Sequence, residues 1–291
     1  MTGSLPGRLP APLRGALWMV GALSSFSLMA ISVRELSSTM SAAQILFLRS
    51  FVSVVLVVAV LPFHGLAPLR TRRLGLHVVR NLVHFGGQYA WIYAIGLLPL
   101  ATVFAIEFTM PVWTALLAML LLGERLNRGR IVMMVAGITG ILIILRPGAA
   151  PVSHAAVVML AGAFAYGAAL VATKRLAGSE SVLAILFYMS VIQAPIALVP
   201  ALSGWVTPVL RDAPWIFATG ICGLTAHFCM TRAFRLADAT LVVPIDFLRL
   251  PLIAIVGAVV YSEPVEATTF IGAAVIFAGT YYSLRRESRL P

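Results

Sequence analysis

Long apolar stretches separated by short polar turns run along nearly the whole chain. Ten of them approach the length needed to cross a bilayer as helices, about 20 residues each. They cover residues 12–33, 42–62, 77–98, 101–122, 129–146, 153–173, 182–202, 213–234, 239–261 and 266–284. Outer-membrane strands would instead alternate apolar and polar positions over about ten residues. The pattern therefore predicts an all-α membrane protein with ten transmembrane helices.

The composition supports this assignment. Apolar residues make up 60% of the chain and charged residues 11%, and the mean hydropathy is +0.99. A water-soluble globule has about a quarter of its residues charged. A soluble domain of this length is therefore excluded, and the lipid bilayer is the predicted surrounding.

The basic residues that give the chain its net charge of +11 lie at the ends of the apolar segments. If the amino terminus is cytoplasmic, most basic residues lie on the cytoplasmic side, with Arg70, Arg72 and Arg73 as one cluster. The opposite side receives only Arg34, Arg146 and Arg211. Loops rich in Lys and Arg stay in the cytoplasm. Both termini are therefore predicted to be cytoplasmic, in the cell (inner) membrane, and the charge does not indicate a nucleic-acid partner.

The chain contains an internal repeat. SAAQILFLRS at 41–50 aligns with SVLAILFYMS at 181–190, and three later positions also correspond: Glu107 with Asp246, Glu124 with Glu263, and Gly140 with Gly279. We expect one five-helix repeat over residues 1–148 and a second over 149–291. Because five is odd, the second repeat enters the membrane from the opposite side. Inverted repeats of this kind are common in secondary transporters.

Two segments carry a resemblance to a known family. LLGERLNRGRIVMMVAGITGILIILRPG at 121–148 resembles the closing helices of an EamA domain of the drug/metabolite transporter superfamily, and residues 251–279 resemble the same region of a second domain. In the second copy, Ser262 and Pro264 replace Gly123 and Arg125, so this turn is expected to differ. The resemblance implies a central substrate cavity and transport by alternating access, rather than an enzyme.

Four ionisable residues fall inside predicted membrane helices: Arg49, Glu107, Asp246 and Arg249. Such groups are costly in hydrocarbon and are candidates for function. Asp246 and Arg249 are three residues apart, which favours a local ion pair. For Glu107 the natural partner is Arg49 on another helix. The pairs either lock helices together or open to bind a charged or zwitterionic substrate, or a coupling proton.

Prolines follow both acids. Pro111 has no N–H to bond the carbonyl of Glu107, while Pro251 and Pro244 leave the carbonyls of Phe247 and Thr240 without a helical partner. Irregular backbone at membrane depth is tolerated where protein or a water-filled cavity surrounds it. We therefore expect both helices to bend near their acids, with the prolines as hinges.

The third segment carries a polar stripe. His77, Asn81, His84, Gln88 and Trp91 recur at intervals of four and three, which places them on one helix face. His84, Gln88 and Trp91 are expected to face the bundle interior, and His77 and Asn81 the cytoplasmic rim. His227 corresponds to Gln88 in the repeat. Each histidine is either a packing residue or a proton carrier.

The preferred interpretation is a transporter of small polar metabolites, most simply an exporter of amino acids, because mixed charges suit a zwitterion. One alternative is uptake of a nucleoside-like, vitamin or other aromatic metabolite that stacks on Trp91 or Tyr89. Another is a membrane enzyme or structural protein without transport activity.

The sequence indicates no cofactor, and its histidines and cysteines lack the spacing of metal ligands. Nothing in it fixes an oligomeric state.

Overall fold

The computed structural model describes residues 10–65, 67–123, 127–148, 151–237, 242 and 245–287. The described residues form eleven helices that we number in chain order, together with 3-10 turns at Ala67–Leu69 and Leu210–Asp212. The helices are α1 (Ala11–Leu36), α2 (Ala42–His64), α3 (Leu74–Leu97), α4 (Leu100–Glu107), α5 (Met110–Leu122), α6 (Arg128–Leu145), α7 (His154–Ala177), α8 (Val182–Leu202), α9 (Ala213–Leu236), α10 (Arg249–Tyr261) and α11 (Ala267–Glu287).

Eight spans in the described part of the chain are long and apolar enough to cross a membrane, with α4 and α5 counted together as one. The two other predicted spans differ for separate reasons. The polar stripe places α3 outside this set despite its 24 residues, and α10 has only 13. A multi-pass membrane protein is therefore confirmed, while the full set of ten spans stays a prediction.

Both helices that carry intramembrane acids are interrupted beside them. The predicted segment 101–122 is two helices, since α4 ends at Glu107 and α5 begins at Met110, with Pro111 in its first turn. In the second half, residues 245–247 are helical, Leu248 forms a turn, and α10 begins at Arg249 with Pro251 in its first turn. Proline is well tolerated in a first turn, where no N–H partner is needed. Pro244 lies outside the described residues, as does Glu124.

The helices pair across the two halves in a regular way. Helix α1 packs on α9 and α3 on α7, while α2 packs on α8, α4 on α10 and α6 on α11. Exchanging each helix for its counterpart in the repeat leaves this set of pairs unchanged. The arrangement is therefore pseudosymmetric, as the internal repeat predicts.

Matching helix starts lie at opposite ends of the bundle. The hydroxyl of Ser41 accepts from the N–H of Gln44 at the start of α2, and that of Ser181 accepts from Ala184 at the start of α8. Serine at this position satisfies a free N–H of the first turn. Ser181 also donates to the carbonyl of Pro68, in the turn after α2. The two equivalent serines are thus separated by the length of α2.

Helices α6 and α11 approach so closely that glycine is required. A methyl group on Gly140 would lie 2.6 Å from the carbonyl oxygen of Gly272, and one on Gly279 would lie 3.3 Å from the Cα of Met133. Small residues allow membrane helices to pack backbone to backbone. The last helices of the two halves are therefore held together along much of their length.

Candidate functional site

The interrupted helices bring three charged side chains together, which we call the charged triad: Glu107, Asp246 and Arg249. Nη2 of Arg249 lies 3.2 Å from Oε1 of Glu107 and 3.5 Å from Oδ2 of Asp246. The predicted pairing of Asp246 with Arg249 is confirmed. The predicted partner of Glu107 is wrong, because Arg249 and not Arg49 contacts it. The break after Glu107 and the break before Arg249 place the end of α4 against the start of α10.

Helix α3 contributes a further contact to the triad. The indole N–H of Trp91 donates to Oε2 of Glu107 at 2.7 Å. Both carboxylate oxygens of Glu107 therefore have a donor, one charged and one neutral. His84, Gln88 and Trp91 are all buried, so their expected inward orientation is confirmed. His77 and Asn81 are buried as well, and do not form an exposed rim.

Three aromatic rings, which we call the aromatic wall, surround the guanidinium of Arg249. Its Cζ lies 4.7 Å from the ring centre of Phe26, 4.9 Å from that of Phe104 and 5.2 Å from that of Phe108. Phe108 also stacks on Phe247, with ring centres 4.2 Å apart. A cation over an aromatic face is attracted by the negative face of the ring. The sequence pattern did not predict the aromatic wall, although Phe104 and Phe108 flank Glu107 in the stretch FAIEF.

The triad is not fully enclosed. Its side chains are 4% exposed at Arg249, 15% at Glu107 and 23% at Asp246. Oδ1 of Asp246 and Nε of Arg249 are buried without a hydrogen-bond partner among the described residues. Two carboxylates against one guanidinium leave one excess negative charge when all three are ionised. The triad therefore has one unused acceptor, Oδ1 of Asp246, for a cationic or donor group, and one unused donor, Nε of Arg249.

A second polar group, which we call the amide–histidine cluster, contains Arg49, Gln88, Gln193, His84 and His227. The oxygen of the Gln88 amide accepts from both Nη1 and Nη2 of Arg49 at 3.0 Å, and its nitrogen donates to Oε1 of Gln193 at 2.8 Å. This amide orientation is the one that satisfies all of its neighbours. Gln193 in turn contacts Nδ1 of His84 at 3.0 Å. Arg49, predicted to bind Glu107, is instead held by the neutral amide of Gln88.

His227 completes this cluster from α9. Its ring centre lies 6.2 Å from that of His84 and 5.7 Å from that of Phe26, one of the rings around Arg249. Tyr166 of α7 also packs against His84, with ring centres 5.6 Å apart. Gln88 and Trp91 are three residues apart on α3, about 4.5 Å along its axis. The amide–histidine cluster and the charged triad are therefore adjacent.

Among the described residues, no three His, Cys, Asp or Glu side chains come close enough together to hold a metal ion. The chemistry available in the bundle is that of charge, hydrogen bonding and aromatic stacking. These features suit the binding of an organic molecule.

The interrupted helices and the charges between the two halves define a multi-pass membrane protein with a polar site inside its bundle, an arrangement typical of transporters. The chain belongs to the EamA-like transporter family, which matches it twice, over residues 13–146 and 154–285. The resemblance found in the sequence is thus confirmed. The family indicates transport rather than catalysis.

Several relatives match over almost the full chain. An S-adenosylmethionine uptake transporter of Rickettsia prowazekii is 26% identical over 277 residues, covering 95% of this chain and 94% of the relative. A riboflavin transporter of Rhizobium johnstonii is 30% identical, covering 94% and 92%. A pseudopaline exporter of Pseudomonas aeruginosa is 29% identical, covering 90% and 93%. One solved crystal structure has the same fold, with a TM-score of 0.67 and 18% identity over 95% of this chain and 99% of that one.

Proposed function

We propose that the protein is a secondary transporter that takes up a small metabolite carrying an aromatic or nucleoside-like ring across the cell inner membrane. The single observation that carries this proposal is the charged triad with its aromatic wall, placed where two membrane helices are interrupted. A charged group in such a position is a functional candidate by default. Phe104 and Phe108 are buried beside Arg249, and Phe26, which is partly exposed, adds a surface on which a planar ring can stack.

The relatives favour this substrate class over the amino acids expected from the charges. S-adenosylmethionine contains adenine and riboflavin contains a fused flavin ring, and proteins named as their transporters match this chain over more than 90% of its length. Amino-acid export finds no support among the relatives' names. Uptake of a vitamin-like or nucleoside-like compound, the alternative from the sequence, therefore replaces it.

Alternating access between the two repeats is the proposed mechanism. In this proposal ten helices in two inverted five-helix repeats place both termini in the cytoplasm, and the interruptions beside Pro111 and Pro251 act as hinges. Substrate binds between the charged triad and the amide–histidine cluster. Glu107 and Asp246 are the candidate carriers of a coupling proton, because each can lose its pairing with Arg249 when the site opens.

Counterflow in liposomes tests the substrate class. The purified full-length protein is reconstituted with an unlabelled compound inside, and entry of the labelled compound is followed for S-adenosylmethionine, riboflavin, 5′-methylthioadenosine and a panel of amino acids. We expect accumulation of at least one ring-containing compound above empty liposomes. Accumulation of amino acids alone, or of none of the compounds, would refute the proposal.

A further inference from the structure

We infer that Arg49 is the anion-binding residue of the substrate site, so that the transported metabolite carries a carboxylate or a phosphate in addition to its ring. This inference rests on the proposed function and narrows its substrate class. The ligand places its anionic group on Arg49 and its cationic or donor group on the charged triad.

Arg49 is a buried cation with no acid beside it. The residue is 6% exposed, and in the part of the chain that the structure describes no carboxylate lies within 4.0 Å of its guanidinium. Arg249, by contrast, has two carboxylates. Lys and Arg are almost never fully buried unless they are paired. No carboxylate of the described residues neutralises the charge of Arg49, which leaves it available to an anionic ligand.

Arg49 is bonded to a single amide oxygen, where a carboxylate would offer two oxygens. One oxygen of Gln88 accepts from both Nη1 and Nη2, each at 3.0 Å. A carboxylate or phosphate offers two oxygens in the geometry that a guanidinium binds best, and these charge-assisted bonds are stronger than bonds to an amide. An incoming anion can therefore displace the amide oxygen of Gln88.

The surroundings hold the guanidinium of Arg49 in place. A methyl group on Gly223 of α9 would lie 3.0 Å from Nε of Arg49 and 3.2 Å from Nη2. Glycine at this position lets the side chain lie flat against α9. On the opposite side, Gln193 fixes the Gln88 amide and His84 fixes Gln193.

The spacing of the two charged groups sets the ligand's shape. Gln88 bonds Arg49, and Trp91 bonds Glu107. Gln88 and Trp91 are one helical turn apart on α3. A ligand with an anionic and a cationic end within a few bonds of each other meets both groups at once.

Two matched pairs of compounds test the inference by calorimetric binding to the purified protein in lipid nanodiscs. The pairs are S-adenosylmethionine with its decarboxylated form, and flavin mononucleotide with riboflavin. In at least one pair, we expect the member that carries the additional carboxylate or phosphate to bind about tenfold more tightly to the wild-type protein. This preference should disappear in Arg49→Gln.

Gln88→Glu provides a second test that does not remove the arginine. The new carboxylate gives Arg49 an internal partner, so the protein should fold normally and yet lose its preference for the compound that carries the additional carboxylate or phosphate. Arg80→Gln is the matched control, because Arg80 is also buried on a neutral partner, the Asn81 amide oxygen at 2.7 Å. It should keep the preference.

The outcomes separate the two proposals. Three results would overturn the role of Arg49 and leave the proposed function standing: equal binding of the two members in both pairs by the wild type, survival of the preference in Arg49→Gln and Gln88→Glu, or its loss in Arg80→Gln. Binding of neither pair would refute the proposed substrate class together with the anion subsite.

Discussion

Arg34 and Glu263 form an ion pair that is supported by two backbone hydrogen bonds. The pair lies where α1 ends, beside the turn between α10 and α11. Nη2 of Arg34 donates to Oε1 of Glu263 at 2.5 Å and to the carbonyl oxygen of Leu98 at 2.5 Å. The other oxygen of Glu263 accepts from the N–H of Leu100 at 2.7 Å. One ion pair therefore joins α1, the turn between α3 and α4, and the turn after α10, and so links both interrupted helices at the same end of the bundle.

Glu263→Gln should loosen this end of the bundle, because the amide keeps one acceptor but loses the charge that holds Arg34. A cysteine in place of the buried Ile95 reports the opening, in a background where Cys222 and Cys229 are replaced by alanine. We expect its labelling by a maleimide to rise severalfold in the Glu263→Gln protein.

Glu266→Gln is the control for this experiment, since Glu266 pairs with Arg146 at the exposed surface, where both side chains are more than 40% accessible. Surface pairs contribute about 0–1 kcal/mol. Equal labelling of the cysteine in both variants would show that the Arg34 pair does not hold this end closed.

Glu107→Gln should reduce transport at least about tenfold while the protein remains folded, in keeping with the large effects of charged groups placed in a membrane. The amide can still accept from Trp91, but Arg249 loses one of its two carboxylates. Initial transport rates and size-exclusion profiles of the two proteins provide the measurement. Asp212→Asn, in the turn before α9, is the control and should transport normally. Normal rates in Glu107→Gln would limit this residue to packing.

Gly140→Ala should destabilise the protein, because the added methyl group meets the Gly272 carbonyl oxygen at 2.6 Å. Overpacking of this kind costs about 1–3 kcal/mol. Gly86→Ala is the matched control on α3, where an added methyl group has nothing within 4 Å. Thermal unfolding in detergent should give a melting temperature several degrees lower for the first variant and unchanged or higher for the second. Equal melting temperatures would contradict the close contact of α6 with α11.

Single cysteines test the predicted orientation in the membrane. A cysteine replacing Arg72, in the exposed turn before α3, should react with an impermeant thiol reagent only from the cytoplasmic side. Leu210, which is 90% exposed between α8 and α9, supplies the opposite test and should react as cysteine only from outside. Reaction of the cysteine at position 72 from outside intact cells would contradict the predicted topology.

The sequence predicted features that depend on local chemistry. Apolar length located the helices, Pro111 and Pro251 predicted the interruptions, and the spacing of Asp246 and Arg249 predicted their contact. Each of these follows from residues within one turn or one segment. The polar stripe on α3 was likewise visible as a helical period.

Contacts between helices were harder to predict. Arg49 and Arg249 are both buried arginines, and only the rotation and depth of α2 and α10 within the bundle decide which one meets Glu107. The same holds for Phe26, whose place over Arg249 depends on how α1 packs. Pairing across a bundle is set by small residues such as Gly223 that let neighbours approach, and one sequence does not reveal which neighbour that will be.

The bond between Trp91 and Glu107 also gives the protein a built-in optical reporter. Indole fluorescence responds to a negative charge a few ångströms away, and the chain has only five tryptophans. The difference in emission between the wild type and Trp91→Phe isolates the signal of this one ring. Any event that protonates, displaces or occupies the carboxylate can then be timed in the unlabelled protein by stopped-flow spectroscopy.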